Sequence, residues 1–233
     1  MLPQLTELKG AALDFLFPRF CVGCGKEGDF ICKSCQATLS QITSPVCPKC
    51  GRPQSNELLC SSCFNWEAKI DGIRSAFRFD GVIRKAIHEF KYKNLRAITT
   101  DLAQLLNMYL LENPIPGEIL IPVPLHHRRL RERGYNQSTM LAKELAKIAG
   151  LSVNEHSLIR KSYNLPQAKT GNVEERKQNV SGVFVCVDED LHDKKVLLID
   201  DVATAGATLN ACASALKTAG AMSVWGLTLA REI

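Results

Sequence analysis

Ten cysteines and one pair of adjacent aspartates carry most of the chemistry open to this 233-residue chain. Eight of the cysteines fall within residues 21–63, as four C-x-x-C pairs: Cys21/Cys24, Cys32/Cys35, Cys47/Cys50 and Cys60/Cys63. CVGCG at 21–25 returns as CPKCG at 47–51, and each is followed by a second pair, CKSC and then CSSC. In a C-x-x-C-G knuckle a tight turn aims two sulfurs at one point, and the glycine permits the backbone conformation beyond it. Two knuckles complete one tetrahedral site. No histidine or carboxylate replaces a ligand, so both sites read as closed, structural zinc. Redox C-x-x-C pairs and an iron–sulfur cluster are the alternatives. Sequential pairing (21/24/32/35 and 47/50/60/63) follows the repeat; a cross-braced arrangement joins the first pair with the third and the second with the fourth. A module of about 45 residues buries little core, so metal must supply much of its folding energy. Cys186 and Cys212 sit among apolar residues and read as core.

The aspartates belong to VLLIDDVATAGATL, 196–209. Four apolar residues predict a buried strand. Asp200 and Asp201 follow at its C-terminal end, where open α/β sheets bind ligands. The loop Thr204-Ala205-Gly206-Ala207-Thr208 leads into a helix N-terminus, where free N–H groups, the helix dipole and two hydroxyls suit a phosphate. The carboxylates would repel that phosphate. Their partners are sugar hydroxyls, or Mg²⁺ through water. Together these parts describe a site for ribose 5-phosphate.

Cationic residues gather in two further places. PVPLHHRRLRERGYNQS, 122–138, holds Arg128, Arg129, Arg131 and Arg133, whose forked guanidinium groups suit phosphate oxygens. His126 and His127 read as surface residues or loop supports. From Arg74 to Arg96 there are seven basic residues against two acidic ones. Arg84, Lys85, Lys91, Lys93 and Arg96, with Tyr92 interleaved, suit a single strand of nucleic acid: cations track phosphate and the ring stacks on a base. A solvated helix face with a core tyrosine is the plainer alternative.

The elements that must position these groups follow from periodicity. Leu5, Leu8, Ala12, Phe15 and Leu16 predict a short amphipathic helix within 1–20. SAFRF predicts a strand. GVIRKAIHEFKYK predicts a helix with Val82, Ile83, Ala86, Ile87 and Phe90 on one face and Arg84, His88 and Lys91 on another. A second helix spans 95–111. After 118, strands at EILIPVP, VFVCV, KVLLID and SVWGLTLA alternate with helices, which predicts a parallel sheet covered on both sides. The stretch 163–182 is long, polar and rich in amides, as functional loops are. The division expected is 1–66 for the cysteine module and 67–233 for the α/β domain. With 45% apolar residues and ordinary charge content, global disorder is excluded. There is no apolar run of about 18 residues and no secretory signal, so a cytoplasmic protein without a membrane span is expected. The formal charge of +5 falls to about +1 once eight thiolates and two Zn²⁺ are counted, so nucleic-acid binding must rest on local patches.

The stretch 196–209 resembles the 5-phosphoribosyl-1-pyrophosphate (PRPP) motif of type I phosphoribosyltransferases at Asp200, Asp201, Thr204, Gly206 and Thr208. That resemblance implies that the acidic pair contacts the ribose hydroxyls, with Mg²⁺ accompanying PRPP, and that 204–208 holds the 5-phosphate. It places Arg128, Arg131 and Arg133 at the pyrophosphate loop. It makes 163–182 a loop closing over the pyrophosphate, with Arg176 and Asn179 the residues to watch. The chain as a whole resembles the ComF (ComFC, GntX-like) family through its order of parts: double zinc ribbon, FKY segment, RRLRERGYNQS, PQAKT…ERKQN and IDDVATAGAT. The implied architecture is a type I phosphoribosyltransferase-like parallel sheet with flanking helices, preceded by a small double zinc ribbon. The implied setting is natural transformation, with incoming single-stranded DNA and a DNA translocase or helicase as partners. An active phosphoribosyltransferase of nucleobase or amine metabolism and a PRPP-sensing regulator are the other readings. No residue of 66–118 or of the zinc module announces recognition of a base.

Overall fold

The computed structural model describes residues 18–161, 182–188 and 190–233. The apolar positions of the expected first helix, and Arg176 and Asn179, lie outside these. Each cysteine unit ends in a single helical turn, α1 (Lys33–Gln36) and α2 (Ser61–Phe64). Then come β1 (Gly72–Arg78), α3 (Gly81–Tyr92), a 3-10 turn (Arg96–Ile98), α4 (Thr99–Glu112) and β2 (Ile119–Pro122). The chain continues through α5 (His127–Arg133), α6 (Gln137–Ala149), β3 (Ser152–Val153), β4 (Leu158–Arg160) and β5 (Phe184–Cys186). It ends in β6 (Lys195–Ala203), α7 (Ala207–Thr218) and β7 (Ser223–Arg231).

Five strands form one parallel sheet in the order β1-β7-β6-β2-β3. Successive residues of β6 alternate between its two faces, as the two-residue period of a strand requires. Leu197 and Ile199 join the core beneath α3, α4 and α6; Val196 and Leu198 join the core beneath α7. Two differences from the sequence reading stand out. VFVCV is not a strand of this sheet. Its central residues form β5, which pairs antiparallel with β4 and packs on α7. The strands β3 and β4 carry no apolar run or alternation to announce them, being two and three residues long.

The strand at SAFRF has a larger place than its length foretold. β1 lies at the sheet edge beside β7, and its other edge is met by the cysteine module. Ile42 N–H donates to Ala76 O (2.9 Å), Arg78 N–H to Ser40 O (2.8 Å) and Ile73 N–H to Lys49 O (2.8 Å). An unpaired strand edge is thereby satisfied. The segment between the ribbons and the second ribbon itself dock along the outer edge of β1.

Candidate functional site

The eight sulfurs gather as two sequential clusters, 21/24/32/35 and 47/50/60/63, each with its ligand atoms within 4.8 Å of one another. Zn–S bonds of about 2.3 Å in a tetrahedron require sulfurs about 3.8 Å apart. Cys24 and Cys32 Sγ are 3.6 Å apart, Cys50 and Cys60 Sγ 3.7 Å. All eight cysteines are free thiols. The backbone N–H groups of Cys32 and Cys60 point at Cys21 and Cys47 Sγ (3.4 and 3.5 Å), as donors to a metal-bound thiolate would. The donor set and spacing fit structural zinc, held by these eight residues.

At the far end of β6 the acidic pair and the loop after it take shape. Ser138, at the start of α6, donates to Asp200 Oδ1 (2.8 Å), which also accepts the Asp201 N–H (2.9 Å). Burial, then the neighbouring Asp201 charge, push the Asp200 carboxyl up to about 7. Asp201 is buried, and Lys91 Nζ lies 2.8 Å from its Oδ2. That approach is an ion pair without hydrogen-bond alignment: Asp201 Oδ2 has no hydrogen-bond partner among the described residues. Two adjacent carboxylates are the donor type that takes sugar hydroxyls or the waters of a hydrated cation, so the residues present fit Mg²⁺ and a diol.

Gly206 caps α7 with a φ of +77°, the left-handed conformation that glycine adopts without strain. No side chain caps this terminus, which leaves its first-turn N–H groups without a capping acceptor, and Thr204 and Thr208 on either side of Gly206 are exposed. A Cβ at Gly206 would lie 2.7 Å from Ile73 Cδ1 and 3.2 Å from the Trp66 ring. Trp66 leaves the second ribbon and packs between its four cysteines and the core under α7. Asn210, in the first turn of α7, accepts from the N–H groups of Lys69 (2.7 Å) and Ile70 (3.2 Å). Trp66 and the segment after the second ribbon thus pack behind the loop at Gly206 and the start of α7. Arg231, at the end of β7, is buried with no partner for Nε or Nη1 among the described residues. Burial lowers its pKa overall, opposed by Cys50, Cys63 and Cys60 and aided by the neighbouring Arg52 charge. Four thiolates on one Zn²⁺ leave two negative charges, and Arg231 brings a cation to them.

The cationic groups divide. Arg84, Lys85, Tyr92, Lys93 and Arg96 are exposed. Lys91 is not part of that face; it turns into the acidic pair and keeps 19% of its side-chain exposure. Ile83, Ile87 and Lys91 are spaced by four, so Lys91 continues the buried stripe of α3, a signal the sequence held but the charge count hid. Arg133 lies over the Tyr92 ring (5.5 Å) and bonds Gln137; Arg96 lies over the Tyr135 ring (4.5 Å). The Tyr135 hydroxyl donates to Phe90 O, which ties α3 to the residue after α5.

The segment expected as a pyrophosphate loop is instead the helix α5. His126 caps it, its Nδ1 accepting the Arg128 N–H (3.2 Å), which fixes a neutral tautomer. Burial and then the neighbouring His127 charge lower the His126 pKa, in the same direction. Arg128 pairs with Glu132 in solvent (2.9 Å), and Arg131 is exposed. Sequence reasoning missed Ser138, Trp66, Asn210 and Arg231, because each acts through a partner more than 60 residues away or through a metal site.

A parallel sheet with an acidic pair and an open helix terminus at its rim, carrying two four-cysteine ribbons on its edge, defines a class: a double zinc ribbon joined to a phosphoribosyltransferase domain. Family models agree, with residues 12–64 matching the double zinc ribbon domain and 136–232 the phosphoribosyl transferase domain. The chain is 31% identical over 218 residues to competence protein ComFC of Bacillus subtilis, covering 89% of this chain and 86% of that one. It is 28% identical to competence protein F of Haemophilus influenzae (86% and 90% covered). It is 26% identical to DNA utilization protein YhgH of Escherichia coli K12 (87% and 91% covered). The chain belongs to this family of competence proteins. Among solved structures it is similar to a glutamine PRPP amidotransferase of B. subtilis at 20% identity and a TM-score of 0.39, over 56% of this chain and 26% of that one. No helix among the described residues is long and apolar enough to cross a membrane.

Proposed function

We propose that this protein handles incoming single-stranded DNA in the cytoplasm during natural transformation, and that its rim pocket binds PRPP with Mg²⁺. The observation that supports the pocket is the adjacent pair Asp200 and Asp201 at the C-terminal end of β6, held by Ser138 and Lys91 and followed by the uncapped terminus of α7. In this reading Asp200 and Asp201 take the ribose hydroxyls and the hydrated Mg²⁺, and Thr204 to Thr208 take the 5-phosphate. Arg131 and Arg133 face the pyrophosphate end, with Arg128 released from Glu132. Single-stranded DNA lies along Arg84, Lys85, Tyr92, Lys93 and Arg96. The relatives' names support the setting, and a DNA translocase or helicase is the partner class that it calls for.

The DNA half is tested by anisotropy of a labelled oligonucleotide across salt. Arg84→Glu with Lys93→Glu is expected to weaken binding at least tenfold and to flatten the salt slope by about two. Unchanged affinity and slope would refute this face. The exposed Tyr92 ring, next in sequence to Lys91, also favours a second reading, transfer of the phosphoribosyl group to a stacked base. An acceptor nitrogen would bond to C1 as the bond from C1 to the pyrophosphate oxygen breaks and pyrophosphate leaves. Release of pyrophosphate with any of a panel of bases and amines would establish it; none across the panel would leave binding without turnover.

A further inference from the structure

Lys91 lies outside both matched domains, on a helix that the sequence assigns to an outward cationic face. Its ammonium is 2.8 Å from Asp201 Oδ2, with 19% of the Lys91 side chain and 4% of the Asp201 side chain exposed. Asp201 is its direct ion-pair partner, and the Lys91 charge also acts on the neighbouring Asp200. Exposed pairs form and break freely, but a pair this sheltered holds two groups in register. The helix that delivers it is braced. A Cβ at Gly23 in the first knuckle would lie 2.6 Å from Cys35 Sγ and 3.1 Å from Val82 Cγ2 of α3, so the knuckle backbone packs closely on the helix, and Ile83, Ala86, Ile87 and Phe90 fill the core below.

The two carboxylates would by themselves repel a sugar phosphate. A fixed ammonium cancels one of those charges without a metal ion. We propose that Lys91 is a binding residue of the phosphoribosyl pocket. It is a tethered cation, set by the first zinc ribbon through α3, that lets the pocket accept a 5-phosphorylated ribose before any divalent cation arrives. This rests on the pocket reading above and adds to it a residue and a metal dependence. It also removes Lys91 from the DNA face while leaving its neighbours there.

The test uses the zinc-loaded full chain, calorimetry with ribose 5-phosphate in buffer freed of divalent cations by resin treatment before the protein is added, or in Mg²⁺, and anisotropy with single-stranded DNA. Wild type is expected to bind ribose 5-phosphate without Mg²⁺. Lys91→Met is expected to lose at least tenfold without Mg²⁺, to recover in part with Mg²⁺, and to keep DNA affinity within twofold. A cycle of Lys91→Met with Asp201→Asn guards against a folding defect: the double variant should bind better than the product of the two single losses. Wild-type binding that is unchanged in Lys91→Met, or additive losses in the cycle, would overturn the role of Lys91 and leave the pocket standing. A wild type that binds in neither buffer would sink the pocket itself, and the inference with it.

Discussion

The two ribbons repeat one knuckle and differ in everything around it. In the first, Cys24 is exposed and the sulfurs sit against α3. In the second, all four cysteines are buried, with Trp66 against them and Arg74 and Arg231 within reach of their charge. The first ribbon braces the helix that carries Lys91 to the acidic pair. The second braces the loop at Gly206 through Trp66, and the start of α7 through Lys69, Ile70 and Asn210. One motif, duplicated, supports two separate elements of the α/β domain. The lesson is that identical metal knuckles acquire separate tasks from what packs on them.

Loss of a ligand separates the ribbons most sharply. Cys50→Ser strips the buried cluster and leaves Arg231 without its anion, so destabilisation of about 4–5 kcal/mol or more is expected. Cys24→Ser, at an exposed ligand, is expected to cost about half of that and to keep the second zinc. Native mass spectrometry and thermal melting read both; equal losses would erase the distinction. Arg231→Met removes the cation alone. It is expected to cost about 3 kcal/mol and to speed chelator extraction of one zinc of the two. Wild-type stability with unchanged zinc release would show that the guanidinium serves no metal site.

Truncation at the braces gives smaller effects. Trp66→Ala is expected to cost about 2 kcal/mol and to weaken ribose 5-phosphate binding, whereas Val82→Ala costs about 1 kcal/mol. Equal effects on binding would break the assignment of braces. The acidic pair should also show a pH signature. With the Asp200 pKa raised to about 7, the folded chain holds a proton that the unfolded chain has released above about pH 4. Its contribution to stability is therefore full below about pH 4, falls as pH rises to about 7, and is gone above that. Diol or cation binding runs the opposite way and strengthens as Asp200 ionises. Asp200→Asn should remove that slope; a slope that survives belongs to another group. Smallest of all, Arg128→Ala breaks an exposed pair and should shift stability by no more than about 0.5 kcal/mol.

The cysteine spacing was legible because closed metal sites are built from residues close in sequence, and the IDD-x-A-T-A-G-A-T stretch because a strand, a turn and a helix start follow one another within it. The parallel sheet was legible from its apolar runs. The docking of the ribbons on β1 was not, because backbone bonds such as Ile42 to Ala76 leave no mark on residue type. The direction of Lys91 was in the sequence as a four-residue spacing from Ile87, yet its charge argued for solvent. VFVCV reads as a buried strand of any kind, and only its partner β4 decides that it leaves the sheet.

The most direct measurement is calorimetric titration of the zinc-loaded chain with PRPP and Mg²⁺, beside Gly206→Val. A valine there meets Ile73 and Trp66 and is strained at positive φ. One saturable site per chain is expected in the wild type, with the heat lost in the variant while thermal melting still shows a folded protein. A flat wild-type titration, or heat that survives in a folded Gly206→Val, would contradict a phosphoribosyl pocket at this rim.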